Sequence, residues 1–165
     1  MSYYIVIHGT LGTGKSTMAN ELAVKLDAEQ IRLDDVLSEH KLDLHEDGET
    51  SISAFTFIKG LDFVLPHARE VLDRRKVVIF DGCFYHKEVM DYLLDHLAYP
   101  HVLFTLKAPL DVCIQRDRNR PKTIGEDVAK AVYELTEGLN FGEIIDTTEP
   151  LKDSVEKLLS HLPKF

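Results

Sequence analysis

Apolar positions along the chain follow two alternating rhythms. Short apolar runs at 3–8, 29–33, 76–81, 101–106 and 143–146 read as buried strands. Between them the apolar residues recur every three or four positions. Met18, Leu22 and Leu26 mark one helix, Val89, Met90, Leu93, Leu94 and Leu97 a second, and Leu151, Val155, Leu158, Leu159 and Leu162 a third. Another helical pattern runs from about residue 52 to 74, and Pro66 inside it predicts a break or kink just before that position. Strands alternating with helices over short connections predict an α/β chain. Its sheet should be mainly parallel and five-stranded, with helices on both faces. In such a sheet ligands bind beyond the carboxyl ends of the strands.

Polar residues cluster where that rule puts a site. Gly9-Thr10-Leu11-Gly12-Thr13-Gly14-Lys15-Ser16 follows the first strand and opens the first helix, which fits the pattern G-x-x-x-x-G-K-[ST]. In this pattern the glycines let successive backbone amides turn inward around a polyphosphate. Lys15 then reaches the β- and γ-phosphates, and the Ser16 hydroxyl ligates Mg²⁺. Thr17 stands beside them at the helix N-terminus, whose partial positive charge favours anions. Asp81 ends the third strand and reads as a second Mg²⁺ holder opposite Ser16, or as a helix cap. Asp34 and Asp35 follow the second strand. One is a candidate base and the other a cap for the helix that Val36 and Leu37 continue, with Asp34 preferred as base. Arg116, Arg118 and Arg120 lie in a helix that Pro109 opens and Pro121 closes. Arg116 and Arg120 share one face there, an arrangement an anion such as ATP would bridge, whereas Arg118 points elsewhere.

Composition narrows the partners. A formal net charge of −9 argues against a general nucleic-acid binder, which needs a basic stripe to neutralise phosphates. At 165 residues the chain has the size of one domain, 1–165, which would hold donor and acceptor together. Cys83 and Cys113 read as reduced thiols, because two cysteines in apolar or strand-adjacent sequence suggest no disulfide framework. No apolar run is long enough for a membrane span and no export signal opens the chain, so the cytoplasm is the expected compartment. No feature specifies an oligomeric state. The polar stretch 41–53 reads as a loop on the acceptor side.

Taken together, the phosphate loop, the paired aspartates, the third-strand aspartate and Arg116-x-x-x-Arg120 resemble the small P-loop kinases built like adenylate kinase. The nearest likeness is to the zeta-toxin, chloramphenicol phosphotransferase and polynucleotide kinase branch. The resemblance spans nearly the whole chain, including Ile144-Ile145-Asp146-Thr147-Thr148, which is similar to the last strand and adenine-pocket edge of that branch. It implies a three-layer P-loop NTPase fold with a short lid and an ATP- and Mg²⁺-dependent transfer of phosphate to a hydroxyl of a small molecule. Asp34 would be the base, Arg116 the arginine beside the adenine, and Arg120 the lid arginine that touches the transferring phosphate. Pro121–Asp127 would form the lid, with Gly125 as a hinge.

One departure bears on the acceptor. Polynucleotide kinases of this type carry an arginine three residues after the base, and Leu37 stands there instead. The expected acceptor region is rich in carboxylates, with Lys41 its lone cation inside 34–58 and Arg32, Lys59 and Arg69 the nearest others. Such a wall repels anions, which favours a neutral or cationic acceptor such as a polyol or an amino sugar. The second reading is a nucleotide or polynucleotide kinase. A third is a nucleotide-dependent switch or binding module, but the guanine motif Asn-Lys-x-Asp has only the poor counterpart Asn119-Arg120-Pro121-Lys122.

Overall fold

The computed structural model describes residues 2–43 and 51–163. Among these described residues five strands form one sheet: β1 (Tyr4–Gly9), β2 (Glu29–Arg32), β3 (Val78–Gly82), β4 (His101–Lys107) and β5 (Glu143–Asp146). Their order is β2-β3-β1-β4-β5 and every pairing is parallel. Parallel pairing forces each connection to cross a face of the sheet. The crossovers carry α1 (Lys15–Leu26), α2 (Leu33–Glu39), α3 (Ala54–Asp73), α4 (Lys87–His96), α5 (Leu110–Arg118) and α6 (Glu126–Thr136), and α7 (Leu151–His161) closes the described chain.

The central strand shows how sequence divides into layers. Tyr4 and Val6 point to one face with Val78 and Phe80, where α2, α3 and α4 pack Leu37, Leu61 and Leu93. Ile5 and Ile7 point to the other with Ile79, where α1 and α7 pack Leu22 and Leu158. β1 is buried on both faces, so its sequence reads as a continuous apolar run. Because all strands run the same way, Gly9, Arg32, Gly82, Lys107 and Asp146 end at one edge of the sheet. The phosphate loop therefore emerges between the ends of β3 and β4.

The strand readings lie within two residues of the observed bounds, two other expectations need correction, and one helix was not anticipated. Helix α3 runs unbroken through Pro66. That residue lies on the exposed side, where the carbonyl that its missing N–H leaves free can be solvated, while Leu61, Leu65, Ala68 and Leu72 hold the buried side. Helix α5 stops at Arg118, so Arg120 lies beyond the helix rather than one turn along its face. Its amide instead bonds the Asp117 carbonyl at 3.0 Å. Helix α6 went unread, since its stripe includes the exposed Val128 and Leu135 and the buried Thr136, whose hydroxyl is satisfied by the Val132 carbonyl at 2.8 Å. The predicted loop at 41–53 lies partly outside the described residues.

A small residue sets how closely α2 approaches α3. A Cβ added at Gly60 would stand 2.7 Å from Leu37 Cδ2, and Leu37 has no exposed surface into which to retreat. Helix α2 carries Asp34, so this contact also sets the height of that carboxylate. Gly60→Val is expected to cost about 1–3 kcal/mol by overpacking, read as a lower urea midpoint with an unchanged slope.

Candidate active site

The loop between β1 and α1 has the backbone that its glycines permit. Gly12 and Gly14 have φ of 80° and 88°, a region that L side chains avoid. At Gly12 space is also short, for an added Cβ would lie 2.4 Å from the Cys113 carbonyl oxygen of α5. The first turn of α1 contains no acid, which leaves its amides and partial positive charge open to an anion. Lys15 Nζ donates to the Thr10 carbonyl at 2.8 Å, and the Thr13 hydroxyl donates to the same oxygen at 2.8 Å.

Carboxylates from two other elements meet this loop. Ser16 Oγ donates to Asp81 Oδ1 at 3.2 Å, so the hydroxyl and carboxylate face one another as a Mg²⁺ pair requires. Asp81 is 2% exposed and its other oxygen accepts from Gln30 Nε2 at 2.6 Å. Gln30 fixes the orientation of Asp81, and no motif in the sequence marked it. The helix-cap alternative for Asp81 does not apply, since α4 begins only at Lys87.

Asp34 and Asp35 sit in the first turn of α2, not at the end of β2, and neither side chain caps that helix. Asp35 faces outward beside Arg32 at 3.8 Å. Asp34 lines a cavity of about 340 Å³, open to solvent through it but crowded by surrounding protein. Burial raises its carboxyl above the usual range. Lys15 opposes that rise, Asp81 and Asp35 add to it, and Arg120 opposes it. The candidate base thus feels the phosphate-loop lysine, the third-strand aspartate and the lid arginine together.

A second cavity of about 310 Å³ lies on the other side of the loop, with Gly12, Thr13, Gly14 and Thr17 along one wall and Arg116, Arg120 and Thr147 along another. Arg116 donates to the Gly12 carbonyl at 3.2 Å and to the Thr147 hydroxyl and carbonyl at 3.2 and 2.5 Å. It ties α5 to both the loop and the end of β5. The volume, the amide-lined floor and the two guanidinium groups fit a nucleoside polyphosphate. Among the predicted loop residues Gly9 and Thr10 line a third cavity, of about 270 Å³, with His8. Leu11 faces the Asp34 cavity. Burial, with Lys15 and Lys107 nearby, lowers His8 to about 4, so it is neutral near pH 7.

The lid is shorter than Pro121–Asp127, because Glu126 and Asp127 already belong to α6 and Gly125 is its cap residue, at φ 106°. Sequence reasoning also missed Asp117. Its buried carboxylate accepts from the Ile124 amide at 3.1 and 3.2 Å and from the Gly125 amide at 3.2 Å. The segment carrying Arg120 is thereby closed into a loop. Arg118 pairs with Glu126 at 2.6 Å, outside both cavities. Arg32, Lys59 and Arg69 do not turn into the Asp34 cavity. Arg32 donates to Asn20 at 3.1 Å, Lys59 lies 4.5 Å above the Phe55 ring, and Arg69 donates to the His96 carbonyl at 2.6 Å. Cys83 and Cys113 are free and buried, and among the described residues no helix is long and apolar enough to cross a membrane.

A parallel sheet of this order with a phosphate loop after its central strand defines the P-loop kinase fold. A sugar kinase from Janibacter sp. superposes with a TM-score of 0.77 at 19% identity, over 97% of this chain and 94% of that one. A shikimate kinase from Acinetobacter baumannii, solved in complex with shikimate, gives 0.66 at 20% identity, over 95% and 90%. Residues 5–137 match the family model described as AAA domain, and the chain belongs to that family. A Methanocaldococcus jannaschii protein described as "Putative adenylate kinase" is 24% identical over 95% of this chain and 86% of its own length.

Two outcomes follow for this site. Asp117→Ala should leave the Ile124 and Gly125 amides without acceptors. Their hydrogen exchange should quicken roughly ten- to hundredfold, matching a loss of about 1–3 kcal/mol. For Asp34, a folded-state pKa raised from 3.8 means that folding is penalised once the group ionises. The penalty is fully present above the raised pKa and vanishes below the unfolded value. Asp34→Asn should therefore melt higher than the parent at pH 7, with the gap closing as pH falls toward the ordinary aspartate range.

Proposed function

We propose that the chain, as one catalytic domain of residues 1–165, is a cytoplasmic, ATP- and Mg²⁺-dependent kinase. It transfers the γ-phosphate to a hydroxyl of a small neutral or cationic molecule. The observation that carries this reading is a cavity on each side of the phosphate loop, one lined by Asp34 and the other by Arg116 and Arg120, with Ser16 of the loop hydrogen-bonded to Asp81. The comparisons support the kinase part of this reading, since similar proteins are described as kinases.

In this reading Gly12–Thr17 cradle the phosphates, with Arg116 beside the base and sugar, and Ser16 and Asp81 hold Mg²⁺. The metal, when bound, neutralises charge on the phosphate oxygens. Asp34 orients the acceptor hydroxyl in line with the terminal phosphorus. A bond forms from the acceptor oxygen to phosphorus, the bond to the bridging oxygen of the leaving diphosphate breaks, and Asp34 takes the hydroxyl proton. The raised pKa suits a carboxylate that must accept a proton during the reaction. Lys15 and Arg120 stabilise charge on the transferring group and the leaving oxygen. The free, buried thiols suit a reducing compartment.

Charge in the acceptor cavity supports a neutral or cationic acceptor. Its described lining contains Asp34 and Asp43 and no lysine or arginine. An acceptor phosphate would therefore meet like charge without a partner. The relative described as an adenylate kinase favours the second reading, a nucleotide kinase, and the two separate in one assay. With ATP and Mg²⁺, neutral or amine-bearing alcohols should be phosphorylated and nucleoside monophosphates left largely unchanged; strong turnover of monophosphates would establish the second reading instead. Asp34→Asn should lower turnover by about 10²–10⁴-fold and keep calorimetric ATP affinity within about threefold. Undiminished turnover would move the role to Asp35 or abolish it.

A further inference from the structure

The acceptor cavity is walled mainly by hydrocarbon. Leu37 and Phe57 line it from α2 and α3, Tyr85 from the segment after β3, and Ile124, Val128 and Val132 from the lid and α6. Two of these are among the exposed large apolar side chains of the protein, Ile124 at 43% and Val128 at 42%. Their exposed surface borders the cavity, so an apolar occupant would cover it. Polar partners are few among the described residues: the carboxylates of Asp34 and Asp43, the Tyr85 hydroxyl and the Cys83 thiol. The Tyr85 oxygen already accepts from the Ile52 amide at 2.8 Å. Burial pushes the Cys83 thiol up to about 11, which keeps it a neutral, weak donor at pH 7.

A sugar or other polyol buries many hydroxyls, each of which needs a partner to repay its lost water. Among the described residues this wall offers a partner for the reacting hydroxyl and little for the others. We infer that the acceptor is an alcohol carried on an apolar, ring-sized body, the hydroxyl directed to Asp34 and the body resting between Phe57 and the lid side chains Ile124 and Val128. The inference rests on the kinase reading above and deepens it. It separates this chain from its structural neighbour that is described as a sugar kinase, because selection here comes from burying hydrocarbon and not from counting hydroxyls. The cavity of about 340 Å³ is at the lower end of the range for ligand pockets, which suits one ring with a short side arm.

The test is a kinase assay with MgATP on two matched sets, glucose, myo-inositol and glycerol against cyclohexanemethanol, benzyl alcohol and 4-(aminomethyl)benzyl alcohol. The ring-bodied set should show the higher kcat/KM, by about tenfold or more for the best member. Val128→Asn should raise KM for that member about tenfold and leave most of the loss out of kcat, whereas Val128→Leu should restore the parent value. Melting curves check that both variants fold. Higher kcat/KM with the polyols would overturn the inference and leave the kinase reading standing. A Val128→Asn variant with unchanged KM would overturn it too. No phosphorylation of either set would overturn it, and failure to bind MgATP in calorimetry would remove the kinase reading with it.

Discussion

Arg116 makes the site possible by joining three parts of the chain that are distant in sequence. Its guanidinium spans the carbonyl of Gly12, in the phosphate loop, and the hydroxyl and carbonyl of Thr147, past the end of β5. Gly12 in turn approaches the backbone of α5 so closely that no side chain fits between them. The loop is thus held from the side as well as by its own strand and helix. A planar fork with five donors suits this task, because one residue satisfies carbonyls from two elements while leaving guanidinium surface toward the neighbouring cavity. Lysine could supply the charge but not the same geometry.

Electrostatics at the site run against stability. Asp34 and Asp81 lie near one another at an edge where Lys15 and Arg120 only partly offset them, and the carboxyl of Asp34 is raised mainly by the protein crowded around it. Asp81 accepts one hydrogen bond on each oxygen, from Ser16 and from Gln30, whereas no protein donor to the Asp34 carboxylate is seen among the described residues. A carboxylate that is crowded and has no protein donor is suited to gaining a proton. Two aspartates in one field are thereby set apart by their surroundings.

How far the sequence could be read varies with the physical signal involved. The phosphate loop was legible because each residue type answers a backbone or charge requirement at fixed spacing, and the strands because burial on both faces leaves an apolar run. Helix α3 was misjudged at Pro66, since a local rule about proline could not weigh the buried residues that hold the helix on its opposite side. Gln30 and Asp117 were invisible for a different reason. Each acts through a partner brought close by folding, Asp81 across neighbouring strands in one case and two amides across the lid in the other. Helix α6 shows a third cause. Its stripe is partly solvent-exposed beside the cavity, so its pattern served the site as much as the core.

The buried carboxylate of Asp117 has a consequence for how the lid works. It binds the amides at the far end of the turn, and its own carbonyl receives the Arg120 amide. Both ends of the short hairpin-like flap are tied to one residue, so much of its conformational freedom is surrendered when the protein folds. Preorganisation of this kind would reduce the entropy lost if Arg120 captures an anion as proposed. The flap is therefore expected to move as a stiff paddle about the ends of α5 and α6, with a small arc and little internal rearrangement.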